Sequence, residues 1–246
     1  MKTIISLSLP NFIDFIPEID LIIAASETVK QNLVRNYNLA DKQVIKINDF
    51  SVKKQPEVLQ QRNSDFIVGG SGTVHWRKGS DLFLQLAQIT KSKYPDLEIK
   101  FQWIGAISNT DKIIYQADIE KAELSEVISF DGEKENPGHF ISQFSVFVLP
   151  SREDPFPLVA IEAGMQAKPI ICFEQGSGTA EIVKNGGGFV VPYLDIESMA
   201  EKIVFYYKNP EKLIEDGQKA KQLFKEFTPE NICPKIFAAI KNIGGE

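Results

Sequence analysis

The sequence predicts an α/β protein built on a doubly wound, Rossmann-like parallel sheet. The first observation behind this prediction is that short apolar runs alternate with amphipathic segments of helical period along nearly the whole chain. The second is that a helical segment separates most strand-like runs, which is the pattern of parallel strands joined by helical crossovers. The third is that glycine-rich and acidic loops follow two of the strand-like runs. Ligands bind to such sheets at the carboxyl ends of their strands.

Composition is typical of an ordinary globular protein and excludes several functional classes. Of the 246 residues, 43% are hydrophobic and 24% are charged, which is enough for a sizeable core. The formal net charge of −6 argues against a nucleic-acid partner, because such proteins carry clustered lysine and arginine. No apolar run reaches the roughly 20 residues that span a bilayer, and the N-terminal run breaks at Pro10. We therefore expect no transmembrane segment. A cytoplasmic location is expected because the two cysteines of the chain are predicted to be free thiols, which fits a reducing compartment.

The cysteines and histidines offer neither a disulfide framework nor a metal site. The chain contains two of each, namely Cys172, Cys233, His75 and His139. Both cysteines lie in apolar contexts and are predicted to be buried free thiols. His139 is predicted to lie on the surface. His75 lies in the glycine-rich loop, where it could either contact a ligand or belong to a plain turn. No Ser or Cys lies beside a histidine and an acid in the pattern of a hydrolytic nucleophile.

The first predicted elements are two strands that flank one helix. Apolar runs at 20–25 and 44–47 predict the strands. Ser26 is the expected N-cap of a helix that ends near residue 37. The polar stretch 51–64, which contains two lysines and a proline, predicts a linker.

Beyond the linker, strand-like and helix-like segments alternate up to the helical C-terminus. The predicted strands cover 66–69, 98–104, 127–130, 146–150, 169–172 and 188–191. The predicted helices cover 80–92, 111–123, 139–144, 158–167, 179–184, 196–207, 210–227 and 229–243. Apolar residues at helical spacing, including Phe83 with Leu86 and Phe237 with Ile240, predict helix faces that pack on the core.

The most informative segment is the acidic loop at 151–163, between a buried strand and a helix. Asp154 lies in the loop and Glu162 about one turn inside the helix that begins near Leu158. A helix N-terminus favours phosphate, whereas carboxylates accept hydrogen bonds from sugar hydroxyls. Phosphate beside hydroxyls suggests a nucleotide sugar as the ligand. The alternative is an acidic loop with an ordinary helix cap.

A second candidate ligand loop is the glycine-rich segment at 69–80. Glycines let a backbone approach a ligand closely, which nominates Gly70 and Gly72 together with Ser71 between them. The segment is neither a dinucleotide fingerprint, because His75 replaces the third glycine, nor a phosphate loop, because Lys78 precedes a glycine. Without further support, a plain turn is an equally good interpretation.

Two cations at the end of this loop support the hypothesis that it binds a ligand. Arg77 and Lys78 stand together in an otherwise acidic chain, at the start of the next helix. Two cations suit a diphosphate leaving group, which gains negative charge as a glycosidic bond breaks.

The acidic loop resembles the signature of retaining glycosyltransferases of family 4, whose usual form is two glutamates eight positions apart. Asp154 and Glu162 have that spacing, with aspartate in the first place. Lys78-Gly79 resembles a second family motif, and the role of the arginine that normally precedes it is assigned to Arg77. Further segments resemble successive landmarks of the family's donor-binding domain, namely 103–105, 128–132, 144–151, 178–181 and 187–192.

The resemblance implies the C-terminal half of a GT-B glycosyltransferase. Its donor would be a UDP- or GDP-linked sugar, and it would need no metal or other cofactor. It places Asp154 at the sugar and Glu162 at the ribose, as the candidate catalytic pair. The loops after Gly105 and Gly132 would seat the base. The candidate donor-binding residues are Gly70, Ser71, Gly72, Arg77, Lys78, Gly105, Gly132, Pro155, Phe156, Pro157, Leu158 and Val159.

The resemblance also implies a domain organisation. Residues 1–55 would be a stub of an N-terminal acceptor domain plus linker, and 56–246 the donor domain. We therefore expect a hexosyltransferase-type fragment that needs an acceptor domain in cis or in trans, acts on an unknown acceptor, and is inactive alone. The helix at 229–243 resembles one that folds back onto the first domain, so its apolar face is expected to lack a partner. The alternative is a non-catalytic nucleotide-binding or partner-binding module that retains the fold.

Overall fold

The computed structural model describes residues 4–7, 20–36, 43–52 and 65–243, which form two parallel sheets. The smaller sheet has the order β1-β2-β3. Its strands are β1 (Ile4–Leu7), β2 (Leu21–Ala24) and β3 (Val44–Lys46), and α1 (Glu27–Asn36) joins β2 to β3. Strand β1 was not predicted, because its few apolar residues are interrupted by serine and lie next to Pro10.

The larger sheet has six strands in the order β6-β5-β4-β7-β8-β9, all parallel. Its strands are β4 (Phe66–Ser71), β5 (Ile99–Ile104), β6 (Ile128–Phe130), β7 (Val146–Leu149), β8 (Ile170–Phe173) and β9 (Gly188–Val191). The strand order reverses between β4 and β7, and the carboxyl ends of these two strands are therefore the expected ligand crevice.

Helices cover both faces of this sheet. They are α2 (Ser80–Lys93), α3 (Asn109–Lys121), α4 (Pro137–Gln143), α5 (Leu158–Met165), α6 (Thr179–Val183), α7 (Ile196–Lys208), α8 (Pro210–Phe224) and α9 (Pro229–Ile243). Successive residues of one strand pack into the two cores on opposite faces of the sheet, because side chains alternate across a sheet. Val146 and Val148 pack with Phe83 of α2, whereas Phe147 packs with Ile161 of α5. The predicted doubly wound parallel sheet is confirmed.

Strand β4 continues two residues beyond the predicted end at Gly69. Gly70 and Ser71 pair with β5 and are therefore part of the sheet rather than of a loop. The glycines are required here by the packing of neighbouring rings. A Cβ at Gly69 would lie 1.9 Å from the ring of Phe144, and one at Gly70 would lie 2.5 Å from the ring of Trp103. The predicted linker beyond residue 52 lies outside the described residues up to residue 64.

Two predictions of burial near the C-terminus are wrong. Phe237 and Ile240 of α9 are 60% and 40% exposed, and Cys233 on the same helix is exposed, whereas Cys172 in β8 is buried as predicted. Helical spacing correctly predicted an apolar face on α9, but only part of that face is covered: Ile232 is buried in the core, whereas Phe237 and Ile240 are exposed. Among those residues, no helix is both long and apolar enough to cross a membrane.

Candidate functional site

The loops after β4 and β7 meet at the point where the strand order reverses, and they bring the predicted cations to the predicted carboxylate. Lys78 Nζ lies 2.6 Å from Asp154 Oδ2. Arg77 Nη1 lies 3.9 Å from Asp154 Oδ1 and donates a hydrogen bond to the Glu153 carbonyl at 3.0 Å. Residues that are separated by 76 positions in the chain therefore form one charged cluster.

The cations are held in place by a short 3-10 helix, Trp76–Lys78, rather than by an irregular loop. The ring of His75 caps this helix, since its Nδ1 accepts a hydrogen bond from the Arg77 amide at 3.1 Å. The following residue, Gly79, has a φ of 73°, and a Cβ there would lie 1.9 Å from the carbonyl oxygen of Pro150. The β4 loop is thus docked directly on the end of β7, and His75 is exposed and serves this local turn.

A second ion pair ties the same two loops together. The Arg152 guanidinium forms two hydrogen bonds to the Asp81 carboxylate, at 2.8 and 2.7 Å, and a third to the Trp76 carbonyl at 2.7 Å. The guanidinium carbon also lies 4.9 Å from the centroid of the Trp76 ring. Bidentate pairing of this kind fixes orientation as well as contributing energy. These contacts were not predicted, because Arg152 lies 71 positions from Asp81 in the chain.

Three glycines line the neighbouring crevice above β4, β5 and β6. Gly105 has a φ of 143°, and a Cβ there would lie 2.1 Å from the carbonyl oxygen of Gly72. The Gly105 amide donates to the Gly132 carbonyl at 2.9 Å, and Trp103 Nε1 donates to the Gly72 carbonyl at 2.8 Å. Gly132 has open space where a Cβ would be. The three predicted backbone positions therefore lie side by side along one edge of the sheet.

The start of α5 follows the same edge. No side chain in the described part of the chain caps this helix, whose N-cap is Pro157. Phe156 is buried against Phe227 and anchors the loop, whereas Leu158 is 46% exposed at the first turn. With its first amides unused by a side-chain cap, the α5 N-terminus retains donors suited to a phosphate.

Glu162 lies deeper in the molecule than Asp154. Its side chain is buried, and Oε1 accepts a hydrogen bond from the Ser51 hydroxyl at 3.3 Å. The Ser51 amide in turn donates to the carbonyl of Phe227 at 3.2 Å. Glu162, the candidate ribose carboxylate, therefore lies where the segment after β3 contacts α5.

A further carboxylate at the site was missed by the sequence reasoning. Burial, and then the nearby charge of Asp154, raise the pKa of Asp49 above its usual value. Asp49 follows β3 in the smaller sheet, next to Asn48, whose side-chain amide donates to the Ala25 carbonyl at 2.9 Å. No sequence signal pointed to Asp49, because its proximity to Asp154 depends on how the two sheets are docked.

A pocket of about 310 Å³ opens beside the charged cluster. On one side it is bounded by α1, including Thr28 and Asn32, and on the other by the loops after β4, β7, β8 and β9. Its lining includes Asp154 and two aromatic side chains, Trp76 and Tyr193, which are 64% and 48% exposed. We refer to this cavity as the Trp76 pocket. Neither aromatic residue was singled out from the sequence as part of a site.

The described residues contain no group of three or more His, Cys, Asp or Glu side chains arranged to hold a metal ion. The groups at the site suit the recognition of a phosphate, through the Arg77 and Lys78 side chains and the backbone amides at the α5 N-terminus. Asp154 adds an acceptor for hydroxyl groups beside them.

Comparisons of the sequence with known proteins agree on one family. The family model described as glycosyl transferases group 1 matches residues 51–223. An uncharacterized glycosyltransferase of Haemophilus influenzae is 26% identical over 156 residues, covering 63% of this chain and 43% of that protein. The poly(ribitol-phosphate) alpha-N-acetylglucosaminyltransferase of Staphylococcus aureus is 24% identical over 221 residues, covering 89% of this chain and 43% of that protein.

Solved structures show the same fold. The crystal structure of Anabaena HepE in complex with UDP and glucose superposes with a TM-score of 0.82 at 15% identity, covering 98% of this chain and 71% of that one. The chain spans less than half the length of the two curated relatives that it matches.

Proposed function

This chain belongs to the group 1 glycosyl transferases, and on that premise we propose that residues 56–246 form the nucleotide-sugar-binding domain of a retaining, family 4-like hexosyltransferase. One observation carries the proposal. Lys78 and Arg77 meet Asp154 at the topological switch point of a parallel sheet, which is where doubly wound folds bind nucleotides. Cations suited to phosphate and a carboxylate suited to sugar hydroxyls would thereby act side by side.

The proposed mechanism rests on charge stabilisation at the leaving group. Lys78, Arg77 and the free amides of the α5 N-terminus would bind the diphosphate, whose negative charge grows as the sugar departs. Asp154 would accept hydrogen bonds from hydroxyls of the transferred sugar, and Glu162 from those of the ribose. Backbone groups around Gly105 and Gly132 would receive the base.

Retention is proposed from the family resemblance of the acidic loop. Neither histidine is assigned the role of a catalytic base, since His75 caps a local turn and His139 is exposed on α4. The donor phosphate would itself take the proton of the attacking acceptor hydroxyl. No metal ion or other cofactor is needed in this scheme.

The partners follow from the same scheme. We propose that the donor carries UDP or GDP and that the acceptor is held mainly by an acceptor domain supplied in cis or in trans, with the reaction in the cytoplasm. UDP with glucose is what the superposed Anabaena protein contains. The small sheet of this chain would belong to the acceptor side, with the boundary near residue 55.

The test of this function is whether a nucleoside diphosphate binds through Lys78. Isothermal calorimetry with UDP, GDP, UMP and GMP should show tighter binding of a diphosphate than of its monophosphate, because the cations address the distal phosphate. Lys78→Ala should weaken diphosphate binding by about 1.5–3 kcal/mol, the value of a charge-assisted hydrogen bond. Lys91→Ala is the matched control, because that exposed lysine on α2 contacts the carbonyl of Pro95 instead.

Equal affinities for mono- and diphosphates would remove the role given to the cations. Absence of binding by all four nucleotides would favour the alternative of a partner-binding module that retains the fold.

A further inference from the structure

The Trp76 pocket combines two features that bind sugars. An exposed aromatic ring offers an apolar, electron-rich face to the C–H groups of a pyranose, and neutral polar side chains pair with its hydroxyls. Trp76 and Tyr193 provide exposed rings on one side of the cavity. Thr28 and Asn32 of α1 provide a hydroxyl and an amide on the other side.

The aromatic wall is held in place before any ligand arrives. The Arg152 guanidinium lies over the Trp76 ring and bonds to the Trp76 carbonyl, so both the ring and its backbone are fixed. Tyr193 donates its hydroxyl hydrogen bond to the Arg152 carbonyl at 3.4 Å. Rings held in this way lose little conformational freedom when a ligand stacks on them.

The charges of the pocket indicate which sugars it accepts. Arg152 is the one cation among the described lining residues, and its guanidinium is already engaged by both carboxylate oxygens of Asp81. The remaining charged lining residues are the acids Glu153 and Asp154. Asp154 is already paired with Lys78. A phosphate or a carboxylate in the pocket would therefore meet the Glu153 carboxylate without an uncommitted cation in the described lining, whereas a neutral ring carries no charge that Glu153 could repel.

The position of the pocket relates it to the transfer reaction. Asp154, the residue proposed to hold the donor sugar, forms part of its wall, and α1 on the opposite side belongs to the smaller sheet. From this geometry, and resting on the function proposed above, we propose that the Trp76 pocket receives an uncharged pyranose ring of the acceptor. The acceptor would then be a saccharide rather than a polyol phosphate.

The test uses the full 246-residue chain and small glycosides as ligands. Saturation-transfer NMR and tryptophan fluorescence would follow binding of the methyl pyranosides of glucose, galactose, mannose and N-acetylglucosamine. Ribitol 5-phosphate and inositol 3-phosphate would serve as charged competitors. Fluorescence reports on the pocket because Trp103, the other tryptophan, is buried. Titrations run with and without saturating UDP.

At least one pyranoside should bind, and more tightly than either phosphate. Trp76→Ala should weaken this binding about tenfold, in keeping with the energy of an aromatic contact, and Trp76→Phe should restore part of it. Phe237→Ala, which removes an equally exposed ring from α9, should leave the affinity unchanged.

Three results would overturn the inference: no pyranoside binding, phosphates binding as tightly as the pyranosides, or an unaltered affinity in Trp76→Ala. Calorimetry with UDP on the same samples separates the two proposals. UDP binding without pyranoside binding refutes only the acceptor pocket. Pyranoside binding through Trp76 without UDP binding refutes the donor site and leaves a saccharide-binding pocket.

Discussion

Asp154 is placed between charges of opposite sign. Lys78 lies 2.6 Å away on one side, and Asp49 is close enough that the charge of Asp154 contributes to raising its pKa. Without a ligand, Lys78 thus neutralises a carboxylate that would otherwise face another carboxylate. Diphosphate would compete with Asp154 for the same ammonium group.

This competition gives Asp154→Asn opposite effects on two ligands. The affinity for a sugar nucleotide should fall, because the amide accepts fewer hydrogen bonds from sugar hydroxyls. The affinity for bare UDP should stay equal or rise, because Lys78 loses its carboxylate partner and is released for phosphate. Calorimetry with UDP and with UDP-glucose, on the wild-type chain and on Asp154→Asn, measures how the substitution changes each affinity.

The control for this substitution is Glu174→Gln, which removes a carboxylate that pairs with Lys184 at 3.0 Å. It should change neither affinity. A loss of UDP affinity in Asp154→Asn as large as the loss of UDP-glucose affinity would contradict the assignment of Asp154 to the sugar.

At the level of elements, periodicity predicted most helices and strands to within a few residues, because an apolar stripe marks where an element can pack. It did not predict that β4 continues through Gly70, because only the rings of Phe144 and Trp103, both distant in sequence, explain that glycine. Periodicity also could not predict that Phe237 and Ile240 on the apolar face of α9 are exposed. An apolar stripe in the sequence shows which face of a helix is apolar, but it does not show which other element, if any, packs against that face.

Glu181 on α6 holds the start of α1 by hydrogen bonds. Glu181 Oε1 accepts hydrogen bonds from the amides of Glu27 and Thr28, at 2.8 and 3.3 Å, and Oε2 pairs with Lys46 at 2.9 Å. A carboxylate at a helix N-terminus both satisfies free amides and complements the helix dipole. Glu181 on α6 therefore joins α1 and β3 of the smaller sheet to the larger sheet.

Glu181→Ala should release the start of α1. We expect the amides of 27 and 28 to lose hydrogen-exchange protection, with a cost of about 1–2 kcal/mol for the lost cap and hydrogen bonds. Glu174→Ala removes an exposed ion pair in the same region and should cost at most about 1 kcal/mol. Unchanged protection of these two amides in Glu181→Ala would refute the anchoring role.

At the level of the whole molecule, the two candidate binding regions differ in how completely the chain forms them. The crevice proposed to bind the donor is built by loops of one sheet, including the glycines above β4, β5 and β6 and the cluster around Asp154. The Trp76 pocket is bounded by α1 and is open to solvent at its aromatic wall, where Trp76 is 64% exposed. We therefore expect firm donor binding but only weak acceptor binding by these 246 residues on their own.

Sugar transfer should consequently be slow with the 246-residue chain alone and should rise when an acceptor domain is supplied, in trans or by fusion. Holding the acceptor hydroxyl in attacking geometry is worth about 7–11 kcal/mol in favourable cases, and a single open pocket supplies little of this. Radiolabelled UDP- and GDP-sugars with a panel of saccharides would measure the rate of transfer by the chain alone and by the chain with an acceptor domain. The same reconstitution with Lys78→Ala should show no rise, because the leaving diphosphate is no longer stabilised. Rapid transfer by the isolated chain would show instead that these residues position the acceptor unaided.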